Sequence, residues 1–357
     1  MPGRVTHLPS PAARKFVKAT LRNLEFGKVA FTNFRGRAWQ AVRVTGSLAL
    51  LDSASLYFRS FFALPDSMRA ADGTQVNAVR GFADTIARIL TDRRPARLVC
   101  CLDADWRPKF RTDLLPSYKA HRVAEETGSG PDVEEVPDTL TPQVPIILDL
   151  LEAFGFATAE AAGYEADDVI GALATREKTV PVEVITGDRD LFQLVRTEPS
   201  PASVIYVGKG WAKAEVLGPA EIAERYSLPR ETAGPAYADM SVMRGDPSDG
   251  LPGVAGIGEK TAAKLITQFG SLDALLEAAA AGDSRVPLKT RLRLSDAAGY
   301  LAVAPTVVRV AVDAPVEQSG PDTVPAAPAD PERVAELAER WNLGNSVERL
   351  LKALPGA

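Results

Sequence analysis

Cysteine and histidine are almost missing from these 357 residues, with two of each. Cys100 and Cys101 are adjacent in "RLVCCLD". Neighbours on a strand point to opposite faces, so these two do not pair with one another. Two cysteines and the distant His7 and His121 argue against a structural zinc site. They argue equally against a histidine-based nucleophile triad. No apolar run is long enough to cross a bilayer. The N-terminus has no compact apolar core ahead of a cleavage site. Whatever chemistry the chain performs must therefore rest on carboxylates. Its 46% apolar and 24% charged residues fit a globular protein. Its length allows one large or two modest domains.

The net charge of −5 is unevenly spread. Residues 1–45 hold nine basic side chains and the single acid Glu25, which leaves −13 for the rest. An acidic body repels nucleic acid unless a local patch overrides it. This basic extension shows no clean period. It is expected to be disordered, or a translated stretch ahead of the real start, because the regular pattern begins abruptly at "SLALLD".

From there strands and helices alternate. "SLALLD" (47–52), "ARLVCCLD" (96–103), "FATAE", "VEVITGD" (182–188) and "SVIYVG" (203–208) have strand character. "SASLYFRSFFAL", "NAVRGFADTIARIL" (77–90), "TPQVPIILDLLEAFG" (141–155) and "EADDVIGALATRE" have helical spacing. Such alternation implies an α/β fold, a mostly parallel sheet flanked by helices, over residues 46–210. Residues 106–137 interrupt it, and "EETGSGPDVEEVP" within them predicts a mobile loop. Residues 211–310 predict a helical module. A proline-rich tail with a last amphipathic helix occupies 311–357.

Ligands of an open parallel sheet bind at the carboxyl ends of its strands. Asp52, Asp103 and Asp188 end three strands. Asp190 follows Asp188 at a two-residue step, which aims both side chains one way if the chain stays extended. "YEADD" adds Glu165, Asp167 and Asp168 at a helix start, and "GDPSDG" adds Asp246 and Asp249 in a turn. Taken singly, each is an ordinary helix cap, Asp52 above all. Together they form a cluster with no matching set of basic residues in the same motifs. Two carboxylates at ~4 Å repel by about 4 kcal/mol at an effective dielectric near 20. Divalent cations would relieve that repulsion, and all-oxygen ligands suit Mg²⁺ or Mn²⁺. A pair of such ions is suited to hydrolysing a phosphodiester.

Positive charge gathers in "RPKFRTDLLPSYKAHR" (107–122), where Arg107, Lys109, Arg111, Lys119 and Arg122 face Asp113 alone. Trp106, Phe110 and Tyr118 are interleaved. Cations hold phosphates and aromatic faces stack unpaired bases. Phe110 is expected in the core. "GLPGVAGIGEKTAAKLI" (250–266) resembles a nucleotide phosphate loop, but Glu259 stands where that loop needs lysine, and Lys260 and Thr261 come one residue late. Gly253, Gly256 and Gly258 still allow close approach of a backbone, and a helix start near Glu259 can hold a phosphate.

These segments, in this order, resemble the 5′-nuclease (flap endonuclease-like) family of the bacterial type found at the N-terminus of DNA polymerase I. The resemblance spans roughly 47–300. It implies a PIN-like core and two divalent ions, Mg²⁺ or Mn²⁺. Asp52, Asp103, Glu165 and Asp167 would surround one ion. Asp188, Asp190 and Asp249 would serve the other, with Asp168 and Asp246 as nearby acids. Lys119 and Tyr118 match the family's arch lysine and aromatic at the scissile phosphate, and Arg107, Arg111 and Arg122 would steer the 5′ strand. Residues 250–270 match its helix–three-turn–helix, whose amides grip duplex phosphates around a K⁺ ion, with Lys260, Thr261 and Lys264 alongside. Gly250 replaces a frequent Asn, and Arg244 a usual apolar residue. The implied substrate is DNA with a 5′ flap, nick or 5′ end. The implied protein is a monomeric stand-alone nuclease of replication and repair, without membrane contact, in the cytoplasm with the nucleoid. A junction-binding protein without catalysis, or a nuclease acting on RNA, fits the same residues.

Overall fold

The computed structural model describes residues 46–125 and 132–356. The expected basic extension (1–45) and the centre of the expected loop (126–131) lie outside the described residues.

The strands are β1 (Leu48–Asp52), β2 (Arg97–Cys101), β3 (Val123–Glu125), β4 (Val133–Glu134), β5 (Ala157–Glu160), β6 (Val182–Thr186), β7 (Ala202–Tyr206), β8 (Glu215–Leu217) and β9 (Glu317–Gln318). The first half carries helices α1 (Ser53–Ala63), α2 (Asn77–Asp92), the single turn α3 (Lys109–Thr112), α4 (Gln143–Phe154) and α5 (Ala166–Arg176). The second half carries α6 (Pro219–Tyr226), α7 (Ala233–Arg244), α8 (Glu259–Phe269), α9 (Leu272–Ala280), α10 (Leu288–Asp296), α11 (Ala298–Val308), α12 (Pro331–Arg340) and α13 (Gly344–Ala353).

Every residue of β1 and β6 is buried, as the near-continuous apolar runs of central parallel strands require. The sheet order is β8-β7-β6-β1-β2-β5-β9. The inner five strands are parallel, and β8 and β9 close the edges antiparallel. Successive side chains alternate between two cores. Leu48, Leu50, Val99, Cys101 and Val184 face the layer of α5, α7 and α8. Ala49, Leu51, Leu98, Cys100 and Ile185 face α2, α4, α12 and α13. The two cysteines are free and lie on opposite faces.

The sheet extends past the expected boundary at residue 210 to include β8. The expected C-terminal tail is not peripheral: Val334, Leu337, Leu350 and Leu351 join the core beside Phe82, Ile86 and Phe154. Both differences come from pairings between distant segments, which local periodicity does not carry. The flanks of residues 126–131 pair as the antiparallel ribbon β3–β4.

Chain connections run outward from β1 through β2 to β5 on one side, and from β6 to β7 on the other. The strand order reverses between β1 and β6. The crevice outside their carboxyl ends is where an open sheet binds its ligand.

Candidate active site

Asp52 ends β1 and caps α1. Its Oδ1 accepts the Ser55 amide at 3.1 Å and its Oδ2 accepts the Thr186 hydroxyl at 2.6 Å. Capping and rim placement are therefore the same act, since the strand end delivers the carboxylate and the helix start fixes it. Asp103, just past β2, accepts the Ala166 amide at 2.8 Å, which ties the second strand end to the start of α5. Asp188 follows β6, and its amide donates to the Thr186 hydroxyl at 2.8 Å. The chain then bends into a 3₁₀ turn at Asp190–Leu194, so the expected extended step is absent. Asp188 instead accepts the Asp190 amide at 2.9 Å. Thr186, which the sequence reading missed, links Asp52 to Asp188. Its signal was a hydroxyl two residues before an aspartate at the end of an apolar strand.

No basic side chain is paired with Asp52, Asp103, Asp167, Asp188, Asp190 or Asp246 among the described residues. Burial, with the charges of Asp103 and Asp188, pushes the Asp52 carboxyl up to about 7 against the Thr186 and Ser55 hydrogen bonds. Burial and the carboxylates of Asp52, Asp188 and Glu165 hold Asp167 well above the ordinary range. Asp190 is raised likewise by burial and by Asp188, Asp249 and Asp246, with Arg244 opposing. Asp103 keeps a solvent-open face. The upward push on it from surrounding protein and from Glu165 is thus partly screened. Among the described residues, no three acids stand close enough to form a ready chelate. The rim's donors are all oxygen, its charge is only partly compensated, and several of its carboxyls are pushed toward the neutral form. That combination fits hard divalent cations.

Basic residues of the 107–122 segment do enter the cluster, and they take particular acids. Lys119 Nζ lies 2.7 Å from Glu165 Oε2, and the Tyr118 hydroxyl donates to Glu165 Oε1 at 2.8 Å. Burial works against the Lys119 ammonium, but the Glu165 carboxylate prevails and holds its pKa well above the usual lysine value. Lys119 has a left-handed backbone (φ 49°), a conformation that costs a bulky residue of order 1 kcal/mol. Its amide is held by the Asp249 carbonyl at 3.0 Å. Tyr118 is only 4% exposed and packs with Leu251 and Val307, so as placed it cannot stack a base.

Arg111 also departs from expectation. It is 2% exposed and cannot reach a DNA strand. Its guanidinium grips Asp168 through two bonds of 2.7 Å, and its Nε donates to the Val307 carbonyl at 2.9 Å. Asp168 also accepts the Ala311 amide at 2.7 Å and is fully buried, so its oxygens are committed away from the rim. Arg107 braces the segment, bonding Asp132 at 2.6 Å and the Tyr118 carbonyl at 2.7 Å. Arg122, partly open, donates to Asp249 and to the Ser248 carbonyl at 2.8 Å each. Phe110 is half-buried against Tyr164 rather than in the core.

The glycine-rich stretch divides by role. Gly253 is buried at φ 65°, and a Cβ there would lie 2.5 Å from the Arg244 carbonyl, so this glycine serves packing. Gly256 and Gly258 are exposed, and Gly258 caps α8. Lys260, Thr261 and Lys264 are exposed on the first turns of α8. The first amides of a helix carry partial positive charge outward, which suits a phosphate. Asp246 caps the turn below, accepting the Ser248 amide at 2.8 Å.

Comparison with known proteins agrees with this architecture. A model of the 5′-3′ exonuclease N-terminal resolvase-like domain matches residues 47–227, and one of the 5′-3′ exonuclease C-terminal SAM fold matches 233–332. A 5′-3′ exonuclease of Mycobacterium tuberculosis is 58% identical over 309 residues, 86% of this chain and 97% of that protein. One of Streptomyces coelicolor is 53% identical over 305 residues, 85% of this chain and 99% of that protein. DNA polymerase I of Bacillus subtilis is 35% identical over 274 residues, 76% of this chain and 28% of that longer protein. The fold is shared with the T5 5′-exonuclease solved with divalent zinc ions, at TM-score 0.54 and 18% identity over 86% of this chain and 99% of that one. With family models laid across both halves and relatives of near-equal length at more than half identity, the chain belongs to the 5′-3′ exonuclease family.

Proposed function

We propose that the chain hydrolyses DNA phosphodiesters at 5′ flaps, nicks and 5′ ends, acting as a monomer at the bacterial nucleoid in replication and repair, with two divalent ions, Mg²⁺ or Mn²⁺, at the acidic rim. One observation carries the reading. Asp52, Asp103 and Asp188 at the ends of β1, β2 and β6 and Asp167 at the start of α5 lie at the one crevice without basic partners among the described residues, beside the half-buried, charged Lys119 on Glu165. Asp52, Asp103, Glu165 and Asp167 would hold one ion, and Asp188, Asp190, Asp246 and Asp249 the other. Asp168 is left as the anchor of Arg111. Bound there, the ions would supply Lewis acidity at the phosphodiester.

The chain's own groups do the rest. Lys119 keeps its proton and brings a fixed positive charge to the edge of the crevice, where it offsets charge developing on the scissile phosphate. Tyr118 and Arg107 hold that lysine in place, through Glu165 and through the Tyr118 carbonyl. Arg122, bridging Asp249 and solvent, is positioned to meet the 5′ strand. Lys260, Thr261 and Lys264, with the amides around Gly256 and Gly258, would bind duplex phosphates, where a K⁺ ion could sit between backbone carbonyls and DNA. The test is product mapping on a 5′-labelled double-flap DNA in each metal, with Asp188→Asn beside the parent. Cleavage at the flap base that needs metal and disappears in Asp188→Asn is expected. Tight binding without cleavage in either metal, or full turnover by Asp188→Asn, would refute the assignment.

A further inference from the structure

A second concave site lies beside α1, where its lining residue Arg59 packs against Gly187, next to Asp188. Helices α1 and α2 meet at Gly81, where an added Cβ would stand 2.5 Å from Ser60 Cβ and 2.8 Å from Leu64 Cδ1. Beside this close crossing the two helices part. The Val207–Trp211 segment after β7 forms the third wall of a groove of about 360 Å³. Leu56, Ala63, Leu64, Val207 and Trp211 supply its apolar lining. The two hydroxyls in the lining are already committed to their own helices: Ser60 to the Leu56 carbonyl at 2.9 Å and Thr85 to the Gly81 carbonyl at 2.8 Å.

Three cations share this lining: Arg59, Arg88 and Lys209. Arg59 is bonded to the Gly208 carbonyl. Arg88 and Lys209 are exposed. The lining's single acid, Asp84, is neutralised from outside by Arg349 at 2.8 Å. The groove therefore offers a mostly apolar, solvent-open socket whose lining is net positive, on a protein whose overall charge is negative.

We propose that this groove docks an acidic peptide segment of a partner protein, with an apolar or aromatic side chain seated on the apolar lining and carboxylates on Arg88 and Lys209. Charge and shape both select this occupant over a nucleic acid strand. A strand needs cations repeated along its path. Here the cations gather at one cavity of about 360 Å³, the reach of a short acidic segment. An apolar anchor desolvated in a pocket, with charges at the rim setting rate and specificity, is the arrangement of a peptide hot spot.

Binding is read on the full chain without metal, so failure of the nuclease reading would not disturb it. The probe is a fluorescein-labelled hexapeptide of four aspartates, a serine and a C-terminal phenylalanine, followed by anisotropy at low and moderate salt. A fluorescein-labelled single-stranded oligo-dT is the second arm. Saturable, salt-sensitive binding of the peptide is expected. It should fall about tenfold or more in Arg88→Glu/Lys209→Glu, as like-charge juxtaposition at a rim dictates. It should fall similarly in Ala63→Trp, which fills the socket. Both variants should keep the parent's melting temperature and its cleavage of DNA 5′ ends. A parent that does not bind the peptide, or variants that bind it as the parent does, would overturn the proposal. So would loss of oligo-dT binding in the variants with peptide binding unchanged, which would make the groove a nucleic-acid track.

Discussion

Arg111 takes a full charge to a place that is 2% exposed, and what it meets there decides whether the site holds together. Its two nitrogens match the two oxygens of Asp168 at 2.7 Å, a bidentate geometry that lysine cannot copy. The same guanidinium stands 3.6 Å from Glu165 and binds the Val307 carbonyl. One side chain thus ties α3, the start of α5 and the end of α11. Arg111→Ala would leave Asp168 buried and unpaired, and breaking a buried pair in this way costs about 3–5 kcal/mol. Arg111→Lys should recover only part of that. Urea unfolding of the three proteins measures the loss. A change in Arg111→Ala below about 1 kcal/mol, the level of an exposed ion pair, would show that the pair is not buried in solution. This residue looked in the sequence like one more cation of a basic loop, because its partner lies 57 positions away.

Two elements that are remote in sequence, the segment around Lys119 and the turn at residues 246–251, meet through backbone. The Ser117 hydroxyl donates to the Gly250 carbonyl at 2.8 Å, and the Lys119 amide donates to the Asp249 carbonyl at 3.0 Å. Gly250 makes this possible. It sits at φ 70°, and a Cβ there would lie 2.0 Å from the Ser117 carbonyl oxygen. Gly250→Ala therefore combines a left-handed alanine with a clash against main chain, and the contact must open. Faster amide hydrogen exchange at residues 117–122 is the expected sign, with the β1–β6 centre still protected. Unchanged exchange at those amides would mean that the side-chain bonds of Arg107, Tyr118, Lys119 and Arg122 hold the segment without the Gly250 contact. The element itself was legible, since a buried apolar run such as "LALLD" and a glycine stop such as Gly155 declare a strand and a helix end locally. So was the ring of acids, because Asp52, Asp103 and Asp188 each follow an apolar strand. What joins elements was not. β9, the docking of α12 and α13, the Arg111–Asp168 pair and the Gly250 contact all link positions that no local period relates.

At the scale of the whole molecule the acidic rim acts on folding. A carboxyl whose pKa is raised in the folded protein holds its proton there when the unfolded chain has already lost it. The folded state then binds more protons, and stability falls as pH rises through that window. For Asp52 the window runs from 3.8 to about 7, and stability is lost across it as pH rises toward neutral. Asp167 and Asp190 shift in the same direction. In chelator the protein should thus melt at a lower temperature at pH 7.5 than at pH 5.5, and Asp52→Asn should flatten the difference. Manganese should reverse it. A cation that binds only the folded, ionised rim adds about 2.7 kcal/mol at a hundredfold excess over its dissociation constant. Its effect must be large at pH 7.5 and small at pH 5.5, where protons already occupy the carboxyls. Melting curves at both pH values, with and without manganese, separate the possibilities. A pH-independent gain would place the ion elsewhere on the molecule, and no gain at either pH would leave the rim with repulsion that nothing relieves.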